Sequence, residues 1–259
     1  MVLQGYNALV FGGSKGIGLA SAKGLAAAGA HVTLVARNAI KLGEACQIIK
    51  SETGAKPDFM SIDANDAHDL RKKLNLLTST RTIHIVVNNS GGPPSGPITE
   101  ATPEEFLAAF NQHLIANHII ALTCLNGMKA AGFGRIINII STSVKQPLDN
   151  LGVSNTVRAA VASWSKTLSN EVAQFGITVN NVLPGATETE RLEEIAKVSA
   201  AKQHKTIEEI YEQMANASPA KRIGKPEEVA AAVVFLASPL AGYINGINLP
   251  VDGGRTKSL

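Results

Sequence analysis

The chain has 259 residues, of which 45% are hydrophobic and 17% charged, the proportions of a globular protein with a large core. Lys and Arg total 24 against 21 Asp and Glu, and this net +3, spread without a like-charge block, excludes a dedicated nucleic-acid binder. No apolar run is long enough for a membrane span, and the N-terminus enters a strand-like segment without the charged start of a signal peptide. Cys46 and Cys124 lack metal-ligand spacing and are expected to be buried, inert thiols in a reducing cytoplasm, with no metal site.

Short β-branched runs alternate with longer amphipathic stretches along the whole chain. The runs cover 8–11, 31–36, 59–62, 83–87, 135–140, 177–182 and 247–251. Each is apolar on both faces, as in a parallel sheet covered by helices. The first helix is rich in Ala and Leu over 18–28 and stops at Gly29. Thr102-Pro103-Glu104-Glu105 is a helix start, and Lys225-Pro226-Glu227-Glu228 repeats it. The alternation predicts a single α/β Rossmann domain over 1–259, with a doubly wound parallel sheet of about seven strands. Right-handed crossovers are expected to put the first three helices on one face and the later ones on the other. The segment 190–218 has no strand, and its charges fall at helical spacing. It reads as a helical lid over a cleft, with a solvated surface helix pair as the alternative.

Gly12, Gly13, Ser14, Lys15, Gly16, Ile17 and Gly18 lie between the first strand and the first helix. Glycines let a backbone approach a pyrophosphate, and the helix start offers free N–H groups and a positive dipole end. Strand two ends at Arg37, where an NAD site would carry an acid. Arg37 and Lys15 suit a 2′-phosphate, so NADP(H) is preferred over NAD(H). Asp63, after strand three, is placed to accept from the adenine amino group.

These residues and three later motifs resemble the short-chain dehydrogenase/reductase family over essentially the whole chain, nearest in look to 3-oxoacyl-(acyl carrier protein) reductases. Gly12, Gly16 and Gly18 match its Gly-x-x-x-Gly-x-Gly loop, although the Thr expected before it is Phe11. Asn88-Asn89-Ser90-Gly91 is similar to Asn-Asn-Ala-Gly, which implies that Asn89 and Gly91 border the cofactor. Pro184-Gly185-Ala186-Thr187-Glu188-Thr189 is similar to the segment along the nicotinamide, which assigns Pro184, Gly185, Thr187 and Thr189 to it. Val251-Asp252-Gly253-Gly254 is similar to a C-terminal motif often found at a tetramer interface, so a homo-oligomer, tetramer or dimer, is expected.

The resemblance further implies a Ser and a Tyr that polarise a carbonyl, a Lys four residues after the Tyr, and an Asn. Gly134 to Ser141 fits the strand carrying the Ser, and the Gly176 strand fits equally well. Between these anchors the Tyr position is Ser154 and the Lys position Arg158; counting back from Gly134, the Asn position falls on His113, with Asn111 and Asn117 nearby. The three tyrosines are Tyr6, Tyr211 and Tyr243, so no realignment supplies one. An aliphatic hydroxyl is a far weaker acid than a phenol of pKa ~10, and Arg158 stays protonated while still able to donate to ribose hydroxyls. Ser154 and Arg158 share one helix face. Ser141 either orients a carbonyl or caps the strand end. His113, Tyr211 in the lid and Lys145 are candidate proton donors, each with packing or exposure as the alternative.

Two functions compete. One is an NADP(H)-dependent oxidoreductase acting on a carbonyl/alcohol pair with a non-standard catalytic site. The other is a catalytically impaired dinucleotide-binding or regulatory protein that retains the fold. The residues 91–97 and the lid are mostly small or apolar, so the expected small-molecule substrate is an apolar or weakly polar carbonyl compound.

Overall fold

In a computed structural model of the chain, which describes residues 1–258, seven parallel strands form one sheet in the order β3-β2-β1-β4-β5-β6-β7. The strands are β1 (Asn7–Phe11), β2 (His31–Ala36), β3 (Asp58–Ser61), β4 (Ile85–Asn88), β5 (Gly134–Ile139), β6 (Ile177–Pro184) and β7 (Asn248–Val251). The helices are α1 (Gly16–Ala27), α2 (Ala39–Thr53), α3 (Ala67–Thr80), α4 (Pro103–Phe110), α5 (Ala116–Ala131), α6 (Gly152–Val172), α7 (Glu190–Gln203), α8 (Ile207–Asn216) and α9 (Pro226–Ala237). The start of α4 closes as its sequence predicts: Thr102 Oγ1 accepts from the Glu105 N–H, and the Glu105 carboxylate accepts from the Thr102 N–H.

The helices divide differently from the expectation. Val10, Val32 and Leu34 pack with Leu25 of α1, Leu42 and Ile49 of α2, and Val229 and Val233 of α9. On the other face Leu9, Val86 and Ile136 pack with Leu70 and Leu74 of α3, Ile119 and Ile120 of α5, and Leu168 of α6. The cause is strand order. From β1 the chain steps outward to β2 and β3, then returns to place β4 on the other side of β1. With the same crossover hand, reversing the direction of travel moves the helix to the opposite face. So α3 joins α5 and α6. α9 lies on the face of α1 although β7 continues outward from β6, so the β6–β7 connection has the opposite hand to the others.

Two further expectations are corrected. β3 is not buried on both faces; it is an edge strand, and Phe59 is 45% exposed. Cys124 is buried, which pushes its thiol up to about 12, but Cys46 is only half-buried beside Asp58.

A row of asparagines crosses four strands inside the sheet. Asn88 Nδ2 donates to Asn138 Oδ1 at 2.8 Å, Asn138 Nδ2 to Asn181 Oδ1 at 2.9 Å, and Asn181 Nδ2 to Asn248 Oδ1 at 2.8 Å. Asn88, Asn138 and Asn181 are buried, and the four are paired in register. A one-residue slip of β5 would bury these amides without partners at about 1–3 kcal/mol each, so the row fixes the alignment of the strand ends that carry the site.

Candidate active site

β1 and β4 are neighbours although β2 and β3 intervene in the chain, so the strand order reverses between them. Open α/β sheets bind ligands in the crevice beyond the carboxyl ends of strands at such a point. The glycine loop borders this crevice on one side, and the ends of β4, β5 and β6 continue it on the other.

The loop is built so that only hydrogen fits. Gly12 has φ +61°, and a Cβ there would lie 2.5 Å from Asn89 Nδ2. A Cβ at Gly18 would collide with the Gly12 carbonyl. Asn89 Nδ2 reaches the Gly12 carbonyl at 3.4 Å, tying the end of β4 to the loop. α1 then begins with no acid in its first turn, and its cap residue Lys15 makes no side-chain cap, so the helix start and Ser14, Gly16 and Ile17 face the crevice end unscreened by carboxylates of α1. Arg37 is exposed, and no side-chain hydrogen bond engages its guanidinium among the described residues; its carbonyl accepts from Ser61 Oγ at 2.8 Å. Asp63 is also exposed and accepts from the Asn65 N–H at 3.0 Å. A cradle without room for side chains, a helix with no acid in its own first turn and an exposed cation at the end of β2 together fit a dinucleotide carrying a 2′-phosphate.

The start of α7 closes onto this loop. Lys15 Nζ pairs with Glu190, and a Cβ at Gly16 would be 3.3 Å from Thr189 Cγ2. Thr189 Oγ1 accepts from the Leu192 N–H and donates to the Thr187 carbonyl, both at 3.2 Å, so it caps α7. Thr187 donates to the Gly185 carbonyl at 3.1 Å, and the Gly185 N–H donates to Val251 at 3.0 Å, which pins the 184–189 segment beside β7. α7 and α8 share a small core of Ala196, Ala200 and Ile210, against which Tyr211 and Met214 pack. Tyr211 thus packs within the helix pair, as its alternative reading had it.

The other end of the crevice carries the altered residues. Ser141 Oγ accepts from the Ser143 N–H at 3.1 Å and caps the short turn Thr142–Val144, leaving its own proton free; Lys145 ends that turn. Arg158 Nη1 donates to the Ile139 carbonyl at 3.1 Å, which brings the first turns of α6 against the end of β5. Ser154, one turn before Arg158, is half-buried. Burial lowers the Arg158 guanidinium to about 10, so it stays charged at neutral pH.

His113 differs in character from the acid anticipated. It lies in Asn111–Ile115, a wide-turned π segment between α4 and α5, and is 2% exposed. Its Nδ1 shares a proton with Ser90 Oγ at 2.7 Å, while Nε2 is buried with no partner. Burial and then the charge of Arg158 push it down to about 2. A neutral imidazole has no imidazolium proton to give. Asn111 is exposed at the head of the same segment, and Gln112 Nε2 donates to the Gly91 carbonyl at 3.1 Å.

Sequence reasoning missed three participants. Ser90 was quoted only as part of a motif, yet it holds His113. Glu190 and Arg191 only mark the start of the 190–218 segment in the sequence, yet Glu190 engages Lys15 and Arg191 Nη2 donates to the Pro93 carbonyl at 3.2 Å. Each pairs with a residue far away in the chain, so spacing carried no signal of it. Among the described residues no group of His, Cys, Asp and Glu could hold a metal, and no helix is long and apolar enough to cross a membrane.

Comparison with known proteins agrees with this layout. The family model described as enoyl-(acyl carrier protein) reductase matches residues 12–256. An uncharacterized oxidoreductase of Thermotoga maritima is 31% identical over 256 residues, covering 99% of each chain. The 3-oxoacyl-(acyl carrier protein) reductase of Vibrio harveyi is 33% identical over 257 residues, covering 98% of each. Among solved structures, L-sorbose reductase from Gluconobacter frateurii, complexed with NADPH and L-sorbose, superposes with a TM-score of 0.94 at 33% identity, over 100% of this chain and 99% of that one. The chain therefore belongs to the enoyl-(acyl carrier protein) reductase family of short-chain dehydrogenase/reductases, and is an oxidoreductase of that type.

Proposed function

We propose that the chain is an NADP(H)-dependent carbonyl reductase whose proton-donating tyrosine has been replaced by a serine-lined, arginine-supported site. The observation that carries this reading is the side-chain-free cradle of Gly12 and Gly18 at an acid-free helix start, in one crevice with the buried cation Arg158. Gly12, Ser14, Lys15, Gly16, Ile17 and Gly18 hold the pyrophosphate, and Arg37 takes the 2′-phosphate, with Lys15 joining it once freed from Glu190. Asp63 accepts from the adenine, and Asn89, Gly91, Pro184, Gly185, Thr187 and Thr189 border the nicotinamide half. When bound, the dinucleotide supplies a hydride to the carbonyl carbon.

The chain's own residues handle the oxygen. As hydride arrives, the π pair of the C=O bond moves onto oxygen. The free hydroxyl protons of Ser141 and Ser154 donate to that oxygen, and the Arg158 charge stabilises the developing alkoxide. Water supplies the proton that completes the alcohol, because neither serine nor neutral His113 is an adequate acid. His113 and Ser90 act by positioning, packing the π segment against Arg158. Loss of a general acid typically costs 10²–10⁴-fold, so turnover is expected to be slow.

The helix pair α7–α8 acts as the lid of a single 1–259 domain, held over the crevice by Glu190 and Arg191. The relatives' names range over 3-oxoacyl-(acyl carrier protein), L-sorbose and gluconate, so likeness alone selects no substrate. A homo-oligomer suits the exposed Leu107, Ile115 and Leu122 on one side and Phe235, Leu240 and Tyr243 on another, and a cytoplasmic setting suits the two free thiols. Light scattering after size exclusion tests the assembly.

The second reading, a dinucleotide binder without turnover, is favoured by the double departure at Ser154 and Arg158. The purified chain with NADPH and a carbonyl panel separates the two. Loss of reduced-nicotinamide absorbance supports the reductase. NADPH binding without such loss, and activity gained only on combining Ser154→Tyr with Arg158→Lys, supports the binder. Failure to bind any dinucleotide overturns both.

A further inference from the structure

A carboxylate from the lid stands among the cations at the end of β2. The glycine loop leans on that strand: the Gly13 N–H donates to the Val35 carbonyl at 3.3 Å, and a Cβ at Gly13 would lie 2.9 Å from Leu34 Cδ2. Lys15 follows Gly13 by two residues and Arg37 follows Val35 by two, so both start from one corner of the sheet. Lys41 lies in the first turn of α2, where its N–H donates to Asn38 Oδ1 at 3.0 Å. Neither α1 nor α2 has an acid in its own first turn, and both helix starts add positive dipole ends. No ion pair among the described residues includes Arg37 or Lys41. The carboxylate that enters is Glu190, which pairs with Lys15 Nζ across 175 residues of chain. The hydrogen bond from Lys15, its charge and the charge of Lys41 hold the Glu190 carboxyl below its usual range.

Glu190 is also the first residue of α7. Thr189, which caps that helix, packs against the loop at Gly16, and Arg191 holds the opposite bank through the Pro93 carbonyl. The first turn of α7 therefore bridges the crevice, with Glu190 as its tie to the glycine loop. Lys15 cannot serve this tie and a 2′-phosphate together. Its ammonium is a compact point charge, and a phosphate monoester carries nearly two negative charges at neutral pH. A phosphate at Lys15 repels the Glu190 carboxylate and takes its partner. A dinucleotide without the 2′-phosphate makes no such demand, and the tie stays closed.

We propose that Glu190 is a latch: its carboxylate and the 2′-phosphate of NADP(H) compete for Lys15, so Glu190 limits the preference for NADP(H) and holds the start of α7 until the phosphate displaces it. This rests on the assignment of the 2′-phosphate to Arg37 and Lys15 above, and adds a control on that same corner. The latch is light, because Lys15 and Glu190 are 48% and 57% exposed and an exposed pair is weak. It tunes affinity a few-fold and does not block the cofactor. The coupling is reciprocal: whatever the latch costs the phosphate, the phosphate costs the latch.

The test uses 2′-phospho-ADP-ribose against ADP-ribose. The two differ by the 2′-phosphate alone and carry no nicotinamide to touch residues 184–189. In calorimetric titrations the wild type is expected to bind the phosphorylated ligand more tightly. Glu190→Gln is expected to raise that affinity a further two- to fivefold or about that, and to leave ADP-ribose affinity level. In a Lys15→Met background the gain from Glu190→Gln is expected to vanish. Hydrogen exchange on the wild type reads the lid directly. The Leu192 and Glu193 amides, which bond Thr189, are expected to exchange faster with 2′-phospho-ADP-ribose bound than with ADP-ribose bound. No gain in Glu190→Gln, an equal gain for both ligands, a gain that persists without Lys15, or exchange that is equal or slower with the phosphorylated ligand overturns the latch. Equal wild-type affinity for the two ligands overturns the 2′-phosphate assignment and the latch with it. The exchange measurement needs no variant, so it decides even if a substituted chain fails to fold.

Discussion

The two ends of the crevice are built on different principles. At the glycine loop the proposed recognition is by backbone: Gly12 and Gly18 leave no room for a Cβ, and α1 carries no acid in its own first turn. At the end of β5 side chains do the work, and they depart from the family pattern together, as Ser154, Arg158 and His113. A site made of backbone admits little change without losing its ligand. A site made of side chains can be rebuilt on the same frame, and on the proposed reading the rebuilding puts the aliphatic hydroxyl of Ser154 where the family has a phenol and the guanidinium of Arg158 where it has a lysine.

Four changes would break or sharpen this contrast. Arg158→Met removes the charge that stabilises the alkoxide, and kcat/KM is expected to fall by about 10²–10³-fold in steady-state assays. Melting temperature is expected to stay level or rise, because an unpaired buried cation is replaced by an apolar group of similar length. A parallel loss of stability would instead make Arg158 a structural residue. Gly18→Val is expected to weaken NADPH binding by about 10–10²-fold in a fluorescence titration, since the clash is with the Gly12 backbone. An unchanged affinity would deny the backbone cradle its role. Arg37→Ala is expected to cost about tenfold in NADPH affinity and leave NADH affinity level, erasing the preference between them.

The smallest effect concerns acid stability. His113 is held down at about 2 in the folded chain against 6.5 normally, by burial and the nearby Arg158 charge. Between these values the unfolded chain takes up a proton that the folded chain refuses. Stability therefore falls as pH drops from 6.5 toward 2. His113→Asn removes that contribution, so its melting temperature is expected to depend less steeply on pH just below 6.5. An identical slope would show that the folded imidazole takes up its proton freely.

The same contrast explains what was legible in the sequence. All seven strands stood out because β-branched runs are local, and the glycine loop stood out because its steric demand is written in consecutive residues. Helix placement failed at α3, since the face of a crossover depends on the strand order, and at α9, whose crossover has the opposite hand; no local pattern states either. The exposure of β3 was hidden for the same reason, because being an edge strand is a property of the sheet. At the catalytic end the substitutions Ser154 and Arg158 were readable by counting, but their environment was not. The pairing of His113 with Ser90 spans 23 residues, and the want of a carboxylate near Arg158 is an absence in space. The asparagine row from Asn88 to Asn248 was likewise invisible until the strand registers aligned it.

The central claim is that this crevice passes hydride to a carbonyl without a tyrosine. NADPH deuterated at the transferring position, incubated with the wild-type chain and a panel of carbonyl compounds, tests it most directly. The account predicts deuterium at the new alcohol carbon, formed in proportion to NADPH consumed. NADPH bound at saturation with no deuterium in any product would contradict it.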